Sequence, residues 1–138
     1  MRVFSAFAFS CALGVLSVGC SPKTGNQSTP SLQGTWLLDR PGEGINAGVT
    51  LHTTTKVDSE GRYTCETVAT NSKRAVRFSL EGVWQIKDGY LVDTVIKHSD
   101  TNFTVPVTFR ARIAHFSDHE LEIYDEANSV HTVFRKPK

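Results

Sequence analysis

Charge of either sign is in no excess in this chain. Its 138 residues carry 15 Lys and Arg against 14 Asp and Glu, a formal net charge of +1. That balance argues against a nucleic-acid binder, which would show a basic excess or stripe, and against a polybasic membrane patch. Long hydrophobic runs are missing too. The apolar and small-residue stretch from Val3 to Val18 is too short to cross a bilayer, and nothing beyond it stops transfer. Cysteine is reduced to Cys11, Cys20 and Cys65. There is no nucleophile elbow and no Gly-Lys-Ser/Thr after a glycine-rich loop, so hydrolase and phosphate-loop chemistries have no footing. The chain is not expected to be an enzyme, and no cofactor is expected.

What is present begins at the N-terminus. Arg2 precedes the uncharged run, which ends in Leu16-Ser17-Val18-Gly19-Cys20. That is the build of a secretory signal peptide. Gly19 before Cys20 resembles the lipobox of bacterial lipoproteins, with Ser17 where leucine is usual. The resemblance implies cleavage after Gly19 and acyl chains, palmitate among them, on Cys20. It also implies an address in the cell envelope, with the N-terminal lipid making the membrane a partner. In an organism with an outer membrane, Ser21 in place of aspartate implies sorting there, facing the periplasm.

Residues 1–19 are therefore read as the signal peptide, 20–31 as the lipidated cysteine and tether, and 32–138 as one domain. Ser21 to Pro30 is polar and rich in Ser, Thr, Gly and Pro. Such a tether reaches roughly 15–20 Å as a random coil. With Cys11 removed and Cys20 acylated, Cys65 is alone. No disulfide can form within the mature domain, and an apolar core must hold it. Cys65 sits in a strand-like alternation and reads as a small buried hydrophobe.

From Gly34 onward the hydrophobic period is two. Val76, Phe78, Leu80, Gly82, Trp84 and Ile86 alternate with a mostly polar set, the signature of a half-buried antiparallel strand. Val49 to Val57, Tyr63 to Ala69 and Val105 to Ile113 repeat it. Turn signals separate the runs, Asp88-Gly89 being the sharpest. The pattern predicts eight strands near 34–39, 48–57, 62–70, 75–86, 90–98, 104–115, 119–125 and 129–135. Eight strands linked by hairpins close most economically into an all-β, antiparallel up-and-down barrel, with an open sandwich as the alternative.

Gly34-Thr35-Trp36 at the start of the first strand matches the Gly-x-Trp signature of lipocalins, and Arg135 follows Phe134 at the end of the last. With Gly82 to Asp88 and Glu120 to Tyr124, the domain resembles the small lipocalin-like domains of bacterial lipoproteins. The resemblance implies a barrel closed at one end by Trp36 beneath the Arg135 guanidinium. It also implies that Leu51, Tyr63, Phe78, Leu80, Trp84, Val107, Phe109 and Phe134 line a cavity for a small hydrophobic ligand. The chain is shorter than a typical lipocalin and lacks the middle Thr-Asp-Tyr signature, so Phe78, Trp84, Phe109 and Phe134 are equally able to fill the barrel themselves. The glycine-rich loop Pro41 to Gly48 stands where a lipocalin carries its lid, or simply turns the chain.

The one conspicuous group of metal-binding side chains is His115-Phe116-Ser117-Asp118-His119-Glu120. His115 and His119 flank a turn, where both rings could reach one ion. Most carboxylates fall on outward positions or in turns, as solubility and register devices. Three functions follow in order: an envelope-anchored barrel for a small apolar ligand, a filled barrel serving as an inhibitor or assembly module with an unknown protein partner, and a periplasmic metal binder.

Overall fold

A computed structural model describes residues 29–41 and 48–138. The signal peptide, Cys20, most of the tether and the centre of the loop after Pro41 lie outside the described residues. Among the described residues all regular structure is strand. The strands are β1 (Gly34–Pro41), β2 (Thr50–Val57), β3 (Arg62–Thr70), β4 (Ala75–Lys87), β5 (Tyr90–His98), β6 (Val107–Phe116), β7 (Glu120–Asp125) and β8 (Val130–Arg135). Each pairs antiparallel with the next, and β8 returns to β1 through Leu37 opposite Arg135. The result is a closed up-and-down barrel, not an open sandwich.

Local chemistry accounts for the turns. Asp58 accepts from the backbone N–H groups of Glu60 and Arg62 at 2.8 and 3.0 Å, folding the β2–β3 connection. Asp88 and Gly89 both hold positive φ, 53° and 78°, as a two-residue hairpin with the right-handed strand twist requires. β6 starts at Val107, later than the pattern predicts, because Pro106 has no N–H to give to a ladder.

The alternation sorts side chains as expected. On β3, Tyr63, Cys65 and Thr67 are buried while Arg62, Thr64 and Glu66 are exposed. One end of the barrel is packed solid. Trp36 has no exposed surface, and Val57, Leu91, Leu121 and Phe134 are buried in the same cluster, with Leu32, Ile113 and Phe116 against it. Burying an indole of that size contributes about 4–6 kcal/mol of transfer free energy. The Trp36 N–H is not wasted, donating to the Leu32 carbonyl at 2.6 Å.

The cation over Trp36 is Lys136, its Nζ lying 4.6 Å from the ring centroid. Arg135 instead pairs with Glu120 on the outside at 3.0 Å. Strand parity is the reason. Phe134 is buried, so Arg135 must face outward, and the next residue returns to the barrel end.

Candidate functional site

The middle of the barrel is less filled than its closed end. β4 pairs Trp84 with Asp93 of β5, and β5 pairs Asp93 with Phe109 of β6. The three form one row across three strands, and all three border a cavity of about 330 Å³. Leu91, Ala111, Ile123 and Phe134 complete its apolar wall, while Arg40, Asp125 and Thr132 stand toward the open end. Arg40 is held there by donating to the Thr132 hydroxyl at 3.5 Å. Phe134 meets Trp84 edge-on with centroids 5.3 Å apart.

Asp93 is a carboxylate inside an otherwise apolar wall. Burial raises its pKa above the ordinary aspartate value, while hydrogen bonding from the Tyr63 hydroxyl and, more weakly aligned, from the Trp84 indole N–H pulls the other way. Tyr63 reaches it from β3, donating its hydroxyl to Asp93 Oδ1 at 2.8 Å. Burial and the neighbouring Asp93 charge push the Tyr63 phenol far up, so it stays a donor. The ring has room to cross β4 because residue 82, directly opposite Tyr63, is glycine. A Cβ there would lie 2.7 Å from the Tyr63 hydroxyl oxygen and 2.3 Å from the Thr94 carbonyl oxygen. The Trp84 indole nitrogen is buried without a hydrogen-bond partner of its own.

The opposite wall is packed and weakly polar. Thr53 and Thr67 share a hydrogen bond at 2.9 Å, and Thr55 is buried beside them. Cys65 lies in this wall as a free thiol. Burial raises its pKa against the bonds of Thr55 and Thr67, so it is an inert small side chain rather than a nucleophile.

Of the side chains expected to line a cavity, Trp84, Phe109 and Phe134 do so. Tyr63 supports the row from β3, and Leu80 packs on the core cluster. Phe78 stacks on His98 at 5.8 Å, and His98 on Phe103 at 4.4 Å, at the open end. Leu51 and Val107 are half-buried and not part of the cavity wall.

The two histidines proposed as metal ligands do not make a site. Among the described residues no three His, Cys, Asp or Glu side chains are grouped to hold an ion. Ser117 closes the turn, its Oγ accepting from the backbone of Glu120 at 3.1 Å. His115 is paired in the ladder with Glu122, and both histidines are exposed.

Asp93 and Arg40 were missed in the sequence. The available signal was Leu91-Val92-Asp93-Thr94-Val95, in which an acid occupies the inward parity set by Leu91 and Val95. No protein-family model matches the chain, and a search of curated proteins finds no match.

Proposed function

We propose that this protein is a lipid-anchored carrier of the cell envelope, acylated at Cys20, that binds a small, mostly apolar molecule inside its barrel. The observation that carries this proposal is the cavity of about 330 Å³ walled by Trp84, Leu91, Phe109, Ile123 and Phe134. Its volume lies at the small end of ligand pockets, and its walls are apolar with a few polar groups. A filled barrel would have closed this space with its own side chains, as it does around Trp36. Native mass spectrometry of the gently purified full chain tests it. A bound molecule of defined mass, released by solvent, is expected. A bare mass after incubation with envelope lipid extract would overturn the carrier function.

A second function rests on a different feature. Val76, Phe103 and Val105 are exposed apolar side chains near the open end. Such a rim suits an envelope protein-interaction module. Cross-linking in the envelope that persists when the cavity is blocked would favour it.

A further inference from the structure

We propose that Asp93 is the polar anchor of the cavity, and that the ligand it selects carries a hydrogen-bond donor, a hydroxyl or an amine, on an apolar body. This rests on the carrier function proposed above and names the chemistry of its ligand. An ionised carboxylate only accepts hydrogen bonds, and it offers about four lone-pair sites. Tyr63 fills one site on Oδ1. The Trp84 indole N–H also favours the carboxylate, short of full hydrogen-bond geometry. No other side chain donates to Asp93 among the described residues, and no cation pairs with it. A carboxylate so placed is costly to bury unless something supplies the missing donors. Tyr63 and Trp84 leave lone pairs over, and the cavity is placed to supply donors for them, since Asp93 lies in its wall between Trp84 and Phe109.

The other charged groups at the cavity do not serve this purpose. Arg40 is turned to Thr132, and the Arg110 guanidinium lies over the Tyr90 ring at 3.6 Å. Asp125 is engaged with the Asn128 side chain at 2.7 Å. Asp93 is therefore the acceptor left for a guest. The flat aromatic walls of Trp84, Phe109 and Phe134 suit a compact ring system behind the donor group.

The test uses four bicyclic probes of one shape, titrated calorimetrically into the full chain at mildly alkaline pH. Indane is apolar, indanol and aminoindane carry donors, and indanone carries only an acceptor. Indanol or aminoindane should bind about tenfold or more tightly than indane and indanone, the factor expected of a hydrogen bond to a charged acceptor. Asp93→Asn keeps an oxygen for Tyr63 and turns an N–H₂ donor toward the cavity, so its preference should invert toward indanone. A merely structural role for Asp93 would not produce that inversion. The wild-type series decides the matter alone if Asp93→Asn does not fold. Aminoindane well ahead of indanol identifies a cationic donor, and equal binding a neutral one; either supports the anchor. Equal binding of indane and both donors overturns the anchor while leaving the carrier function standing. Binding of none overturns both.

Discussion

Tyr63 hydrogen-bonds Asp93 across an intervening strand. The two residues belong to β3 and β5, yet the hydroxyl and Oδ1 are 2.8 Å apart. Gly82 on β4 makes this possible by leaving its inner face empty, and the ladder shifts register between Glu81 and Gly82. A phenol, a glycine and a carboxyl on successive strands thus hold one polar contact within the apolar interior. The contact fixes Asp93 in the wall instead of allowing it to swing toward solvent.

Gly82→Ala should therefore be among the most damaging small substitutions in the barrel. The new methyl would sit 2.3 Å from a backbone oxygen, which cannot rotate away, and 2.7 Å from the Tyr63 hydroxyl oxygen. Overpacking of this kind costs about 1–3 kcal/mol. Urea unfolding should show that loss, and an unchanged midpoint would mean that Tyr63 does not need the glycine.

The raised pKa of Asp93, caused chiefly by burial, has a definite sign in stability. Between its ordinary and its folded value, the folded chain keeps a proton that the unfolded chain has released. Stability therefore falls as pH rises through that window and levels off above it. Two exposed carboxyls act oppositely, losing stability as pH falls. At Asp58 desolvation is outweighed by bonds from Arg62 and the turn backbone, and Asp125 is held low by Asn128. Asp93→Asn removes only the first contribution. The difference in unfolding free energy between the two proteins should grow in the mutant's favour from acid to neutral pH. A pH-independent difference would show that Asp93 titrates normally.

Much of the architecture was legible because a barrel of hairpins is written locally. Alternation places Tyr63, Cys65 and Thr67 on one face, and Asp88-Gly89 announces its turn without reference to anything distant. The site was less legible because it depends on register between strands. That Trp84, Asp93 and Phe109 share a row follows from the pairing of β4, β5 and β6. The first pair counts back from the Asp88-Gly89 turn, but the second depends on the register across the longer β5–β6 connection, which no single strand reveals. Lys136 shows a simpler failure. Arg135 matched the expected residue type, but Phe134 already claimed the inward parity.

Lys136→Ala should consequently cost more than Arg135→Ala. Lys136 covers the Trp36 ring and donates to the Ser31 carbonyl at 3.1 Å. Losing that cap should cost about 0.5–1 kcal/mol. Arg135 is two-thirds exposed in its pair with Glu120, and such surface pairs contribute less than about 0.5 kcal/mol in most cases. Chemical denaturation of both variants checks the order, and the reverse order would restore Arg135 as the residue that seals the barrel.

Phe109 and Phe134 border the same cavity but should separate binding from stability. Phe134 is buried in the core cluster against Trp84, so Phe134→Ala should destabilise by about 3–5 kcal/mol, the range for emptying an aromatic core position. Phe109 is 51% exposed despite its inward parity, because the space before it is cavity rather than packed side chain. Phe109→Ala should change stability by no more than about 1 kcal/mol. It should nonetheless weaken indanol binding several-fold, because the ring is a wall of the cavity and its removal leaves the guest open to water. Denaturation and calorimetry on the same preparations decide the matter. If Phe109→Ala lost stability as Phe134→Ala does, Phe109 would be core and the cavity closed in solution. If it lost neither stability nor binding, the guest would lie elsewhere, and the row from Trp84 to Phe109 would not be its floor.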